Sequence, residues 1–318
     1  MKRLVLTSGD SAAGALKGAA LADCVLPFEP RFAWGQLPSP RELQQWLAPR
    51  SRAGSTISGT SRLRKRKTTV LDWSNSELWI DPEPNAQLIL IWLLDYFRPH
   101  ERIVSKLNLV QADAPRQPPF RTTGRMADTC HQDKKCASRN SWLSLAGLLR
   151  ADAAGLVQSS FDDLNALPWL RQAVIMLIEE LPMPGSGLGA TEMRMLELIF
   201  EGNACPSDVF PGHEKPNQRR VFGYWEIGSL LDGLARCPAP VVSGLDGGPF
   251  TSAMHDDRDR HARYKQSKLS LTELGQAVLA GRDDFSRHNP ISRWWGGTKL
   301  TNDNLWRWDP AKQALIAP

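Results

Sequence analysis

The pattern that most constrains this chain lies at residues 4–28. A short apolar run, Leu4-Val5-Leu6, enters a Ser8-Gly9-Asp10-Ser11 loop. An Ala- and Leu-rich stretch from Ser11 to Leu21 follows, then a second apolar run, Val25-Leu26-Pro27-Phe28. Short apolar runs bounded by Ser, Gly and Asp read as buried strands. The stretch between them has an apolar helical face, with Asp10 or Ser11 placed to act as its N-cap. Strand, helix and strand in succession usually build a parallel sheet.

The alternation continues. Glu77-Leu78-Trp79-Ile80 reads as a strand, Asn85 to Phe97 as a mostly apolar helix entered through Pro82 and Pro84, and Ile103 to Val110 as a further strand. The fold class expected is α/β: a Rossmann-like N-terminal half with a small parallel sheet over residues 1–112. Residues 113–140 carry three prolines, many cations and little periodicity, and read as a surface insertion or linker. Connecting helices are expected over 141–190, and a mainly helical, winged-helix-like domain with a Trp-rich tail over 191–318.

The helical stripes place that second half. Leu170, Val174, Leu177, Ile178 and Leu181 share one helix face, which Pro182-Met183-Pro184-Gly185-Ser186-Gly187 ends. Thr191 is expected to cap a helix holding Met195, Leu196, Ile199 and Phe200, and Ile227, Leu230, Leu231 and Leu234 mark another. Val241-Val242, a Gly-rich loop and a charged segment from His255 to Lys268 precede Ser270 and Glu273, spaced as a capping box that opens a final helix. The order helix, helix, strand, loop, strand, helix over 191–281 resembles winged-helix transcription regulators, with Tyr224 to Arg236 near the reading position. That stretch carries Glu226 and Asp232 against one cation, Arg236. Base edges are read by Arg, Lys, Asn and Gln, so packing or a contact with protein fits the stretch better than DNA reading.

Composition narrows the setting. The chain has 318 residues, 42% apolar and 23% charged, which suits a globular protein. Five cysteines at 24, 130, 136, 205 and 237 form no disulfide framework and are expected as reduced thiols. The most apolar run, Leu88 to Leu94, is far short of the roughly 20 residues that cross a bilayer. Met1 to Thr7 enters the Ser-Gly-Asp loop without an apolar segment of signal-peptide length. A cytoplasmic location and no membrane partner are expected. The net charge of +5 is unevenly spread, with eight cations and only Glu42 as an acid between Arg41 and Lys67.

The leading site candidate is Ser8-Gly9-Asp10-Ser11 with Gly14. A tight loop between a strand end and a helix start directs N–H groups outward, where the helix dipole favours a small anionic ligand. It is neither a Gly-x-Gly-x-x-Gly nor a Gly-x4-Gly-Lys-Ser/Thr loop, and Ser11 lacks nucleophile-elbow spacing. The structural alternative is a capped turn. At the second strand-to-helix junction Asp81, Asn85 and Gln87 are candidates for the same crevice, or for a simple helix start. Arg62, Arg64, Lys65, Arg66 and Lys67 are candidates for nucleic-acid phosphates, or a solvated loop. Cys130-His131 with Cys136 lacks zinc-knuckle spacing and reads as exposed loop. Trp294-Trp295-Gly296-Gly297 and Trp306-Arg307-Trp308 are expected to dock on the body rather than stack on bases. No catalytic residue, metal or cofactor is assigned.

Several of these segments together resemble a bacterial family known as a domain of unknown function. They are Leu6 to Gly14; Glu77-Leu78-Trp79-Ile80-Asp81 with Gln87; Leu167-Pro168-Trp169-Leu170; Glu179-Glu180-Leu181-Pro182; Leu271-Thr272-Glu273-Leu274-Gly275; Arg293 to Gly297; and Trp306 to Asp309. The resemblance implies no activity. Family members often carry Trp-Arg-Asp and His-Glu-Gly-Pro after the second strand, where this chain has Phe28-Glu29-Pro30-Arg31 and Trp34-Gly35-Gln36-Leu37-Pro38. The expectation is a regulatory protein that binds a ligand or a nucleic-acid or protein partner. The alternatives are an enzyme acting on a nucleotide or phosphorylated substrate through Asp10, Ser11 and Asp81, and a DNA-binding regulator.

Overall fold

A computed structural model describes residues 3–39, 41–43, 75–97, 107–110, 169–210 and 221–318. The chain divides into two compact units, Met1–Phe32 with Leu37–Arg150, and Ala33–Gln36 with Ala151–Pro318. The basic run 62–67, the Cys130-His131-Cys136 group and the 113–140 segment lie outside the described residues. No described helix is long and apolar enough to cross a membrane.

The first unit is α/β. Its strands β1 (Arg3–Thr7), β2 (Cys24–Pro27), β3 (Asn75–Trp79) and β4 (Leu107–Val110) form one parallel sheet in the order β2-β1-β3-β4. β1 is the organising strand. Leu4, Val5 and Leu6 are fully buried although successive side chains point to opposite faces, so both faces are covered. Val5 packs with Val25 of β2 and with Ala13 and Leu16 of helix α1 (Asp10–Gly18). Helix α2 (Pro84–Phe97) joins β3 to β4 and is buried along nearly its whole length. The two crossovers step away from β1 in opposite directions, and right-handed connections then put α1 and α2 on opposite faces. Pro27, which cannot donate to a ladder, sits on an edge strand where that costs least.

The first helix ends earlier than its composition suggests. Its last turn is capped at Ala19, and Ala20 turns to φ 53°, which ends the helix before Leu21. Its N-cap is Gly9, with no side-chain cap bond, so Asp10 and Ser11 are helical residues and not caps. The fourth described strand is Leu107–Val110, and residues 103–106 of the expected 103–110 lie outside the described residues.

One ion pair ties the start of the sheet together. Arg3 donates to both carboxylate oxygens of Glu77, at 2.9 and 2.7 Å, and to the Leu21 carbonyl at 2.8 Å. The Trp79 indole N–H also donates to Glu77, at 2.8 Å. Burial alone would raise the Glu77 pKa, but the bonds from Arg3 and Trp79 and the Arg3 charge outweigh it and hold the carboxyl below its usual value.

The second unit comprises α3 (Leu170–Ile178), α4 (Ala190–Phe200), α5 (Tyr224–Ala235), β5 (Val242–Ser243), α6 (Arg258–Gln266), β6 (Ser270–Leu271), α7 (Glu273–Leu279) and α8 (Phe285–His288). Two hairpins close it, β7 (Ser292–Trp295) with β8 (Thr298–Thr301), and β9 (Arg307–Asp309) with β10 (Ala314–Ile316). β5 and β6 pair antiparallel. Three local expectations are corrected. Gly189 and not Thr191 is the N-cap of α4. Thr191 instead donates its N–H and hydroxyl to buried Glu180, at 3.0 and 2.7 Å. Thr272 caps α7 through the Gly275 N–H, while Ser270 lies in β6. The charged segment after His255 is not a loop but contains α6.

The tail docks as expected. Trp295 and Trp308 are buried, and the Trp295 indole N–H donates to the Leu177 carbonyl at 2.9 Å. Arg307 pairs with Asp284 at 3.0 Å and donates to the Met183 carbonyl and the Ser286 hydroxyl.

Two measurements test this packing. Glu77→Gln should cost about 1–3 kcal/mol at neutral pH in denaturant unfolding. Because the folded pKa lies below the usual 4.5, the ion pair's contribution is complete above that value and is lost as pH falls through the folded one. The variant should therefore show a flatter acid limb. Gly275→Ala would place a methyl carbon 2.1 Å from the Val241 carbonyl oxygen, whereas Gly14→Ala in α1 meets nothing within 4 Å. The first should destabilise by about 1–3 kcal/mol and the second stabilise by about 0.5–1 kcal/mol, read as opposite shifts in Tm.

Candidate functional site

A sheet of this order has a point where neighbouring strands send their chains in opposite directions, and here it lies between β1 and β3. Open α/β sheets commonly bind ligands in a crevice outside the carboxyl ends of the strands at such a place. Both sequence candidates from the first unit fall beside it. Ser8 and Gly9 leave β1, and Asp81 follows β3 by two residues.

A hydrogen bond joins the two strand ends. The Ser8 hydroxyl, largely buried, donates to Asp81 Oδ2 at 3.0 Å, and the rest of Asp81 is exposed. Asp81 is held from behind by Gln87. That side chain is fully buried and donates its amide to the Asp81 carbonyl at 2.6 Å. Asn85 acts on the neighbouring loop. Its Nδ2 donates to the Pro30 carbonyl at 3.0 Å, and its Oδ1 accepts the Phe32 N–H at 2.8 Å. Asn85 and Gln87 are therefore supports for the loops after β2 and β3, with their amides turned to backbone.

The loop after β2 brings one residue the motif reading did not single out. Glu29 Oε2 accepts the Asp10 N–H at 3.3 Å, so a carboxylate of the chain itself already answers the start of α1. The signal available in the sequence was positional: an acid just past the second strand, twenty residues beyond Gly9. Dinucleotide-binding sheets place the acid that holds a ribose hydroxyl at about that spacing. Asp10 and Ser11 are exposed on the first turn of α1, Gly14 lies on the exposed side one turn on, and nothing lies within 4 Å of where a side chain at Gly9 would begin.

Electrostatically the crevice is acidic. Asp10, Glu29 and Asp81 flank it, and among the described residues no three His, Cys, Asp or Glu side chains converge as a metal site requires. Carboxylates accept hydrogen bonds and repel anions, so the surroundings favour a ligand that brings donors. A second, narrow pocket lies within the other unit between Trp34, Phe222, Trp294 and Trp295. Its acids are committed, Glu192 to Arg293 at 2.9 Å and Glu180 to Thr191.

No family model and no curated protein matches the chain.

The division of labour within the site is measurable. Asn85→Ala leaves a buried carbonyl and a buried N–H without that partner and should cost about 1–3 kcal/mol. Asp81→Asn keeps the shape of an exposed group and should stay within about 0.5 kcal/mol. Paired thermal unfolding of the two variants reads the difference.

Proposed function

We propose that this protein is a ligand-binding regulatory protein whose first unit, Rossmann-like in design, holds a small polyhydroxylated ligand of the nucleoside or sugar class. The observation that carries this reading is the convergence of three strand ends on one crevice: Ser8 bonded to Asp81, and Glu29 bonded to the start of α1. Glu29 and Asp81 are acceptors suited to a vicinal diol, one hydroxyl of which can take the place of the Asp10 N–H at Glu29. Ser11 stands where the dinucleotide fingerprint has the glycine that lets a pyrophosphate approach the backbone. A ligand without a pyrophosphate fits that substitution.

Binding is favoured over catalysis. The group bonded to the Ser8 hydroxyl is a carboxylate, a weak base for generating a serine nucleophile.

The second unit is read as winged-helix-like, with β5 and β6 as the wing strands and α5 in the reading position. The acids of α5 are used internally: Glu226 accepts the Gly223 N–H, and Asp232 accepts the Phe250 N–H. The exposed positions of α5 are Tyr224, Ser229 and Gly233. None of these is a long polar side chain of the kind that reads base edges. This supports a macromolecular contact without base-specific reading.

A thermal-shift screen with adenosine, guanosine, cytidine, uridine and free ribose tests the ligand reading on wild type, Glu29→Gln and Asp81→Asn. At least one compound should raise the wild-type Tm and lose most of that effect in both variants. A screen with no shift, or a shift unchanged in the variants, overturns it.

A further inference from the structure

The loop after α4 and the entry to β6 are tied by main chain. The Leu269 N–H donates to the Ala204 carbonyl at 2.7 Å, which sets Lys268 beside Cys205. Each of these two residues has anchored neighbours. Lys268 lies between buried Ser267, whose hydroxyl accepts the Asp246 N–H at 2.9 Å, and buried Leu269. Cys205 precedes buried Pro206, and its carbonyl accepts the Asp208 N–H at 3.0 Å, which closes a turn. The backbone on both sides is therefore held, while the Lys268 side chain is exposed and Cys205 is half-buried.

The two side chains meet. Lys268 Nζ donates to Cys205 Sγ at 3.9 Å, and among the described residues that amine makes no ion pair and no other hydrogen bond. No carboxylate competes with the sulfur for it. The other two described cysteines have different surroundings. Burial pushes the Cys24 and Cys237 thiols up, and Cys237 Sγ also donates to the Leu234 and Ala239 carbonyls at 3.6 and 3.4 Å. Cys205 is the one described cysteine to which a lysine donates. Reactive cysteines occupy partly exposed positions of this kind, beside a basic side chain.

We infer that Cys205 and Lys268 are a modification site at which a hydroperoxide joins sulfur to nitrogen in a reversible sulfenamide crosslink. The Cys205 sulfur attacks one peroxide oxygen and the O–O bond breaks. The departing hydroxide takes up the thiol proton as water and leaves a sulfenic acid on Cys205. The Lys268 amine, its ammonium proton given to water, then attacks that sulfur. The S–N bond forms as the S–O bond breaks, and the leaving hydroxide takes a proton from the amine nitrogen as a second water. One thiol, one amine and one hydrogen peroxide thus give one S–N bond and two waters, with sulfur oxidised and peroxide reduced. A small thiol reverses the link. Its first equivalent displaces the amine and forms a mixed disulfide, and its second restores Cys205. The link closes 63 residues of chain, ties the loop after α4 to β6, and removes a surface charge. The inference does not rest on the ligand reading of the first unit, and either can fail without the other.

The test treats the full chain with hydrogen peroxide, digests it with trypsin without reductant, and weighs the peptides. Wild type should give the Cys205 peptide linked to one left uncut after Lys268, lighter than their sum by two hydrogens and separated by dithiothreitol. The oxidised protein should also melt at a higher temperature than the reduced one, and dithiothreitol should reverse that shift. Lys268→Arg keeps the cation without a free amine. It should give no link, and dimedone should instead label Cys205 as the sulfenic acid. Cys205→Ser should give neither product, and circular dichroism like that of wild type shows that both variants fold. Four results overturn the inference: no oxidation of wild-type Cys205; dimedone labelling of wild type without a link; a linked pair that retains a peroxide oxygen; or a disulfide of Cys205 in place of the lysine link.

Discussion

The arrangement of the first unit depends on the complete burial of β1. A strand with Leu4, Val5 and Leu6 all removed from water needs apolar cover on two faces and a hydrogen-bonded neighbour on each side. β2 and β3 supply the neighbours, in register from Leu4 with Cys24 and with Ser76. Once the chain has passed to one side of β1 and returned to the other, the connections diverge, and the gap between them is fixed at the carboxyl ends of β1 and β3. The crevice is a consequence of core formation. Its chemistry was then set by a few polar residues on the loops that open there.

Those loops are held by side-chain amides rather than by regular structure. Asn85 spans two backbone groups of the 30–32 segment, and Gln87 reaches back to Asp81. Both sit in the first turn of a mostly apolar α2, where an amide can be buried because the neighbouring loops supply its partners. Such bonds let exposed acids stand at defined positions on irregular backbone.

Much of this was legible in the residues. The apolar runs at Leu4, Val25 and Leu78 became strands of one parallel sheet, and the stripes through Leu177, Leu196 and Leu231 became helices. Trp295 and Trp308 docked through their rings. The misreadings share a cause. Asp10, Thr191 and Ser270 are residues that favour caps, but a glycine with extended backbone or the hydroxyl of Thr272 took each role, and the expected side chain bonded elsewhere or became helical. Local propensity ranks such choices by a few tenths of a kcal/mol, and tertiary contacts exceed that. Helix α6 was hidden for a different reason. Its single buried side chain, Tyr264, gives no periodicity, and Arg260 ties it to the backbone of the preceding 247–249 loop. Glu29 was passed over because an isolated acid beyond a strand has no local signature, and only its distance from Gly9 marks it.

The staples of the carboxyl-terminal hairpins have a temporal consequence. The bond from the Trp295 indole to Leu177 spans 118 residues, and that from Arg307 to Met183 spans 124. Closing such loops has a substantial entropic cost. During synthesis α3 and the turn after it emerge long before the residues that cover them. The Leu177 carbonyl waits for its indole donor until Trp295 leaves the ribosome, and Asp284 waits for its cation until Arg307 does. The second unit is therefore completed from its far end, and a message cut short before that arginine would yield a chain without the Asp284 ion pair and without Trp308 in its core, a substrate for proteolysis rather than a smaller working module.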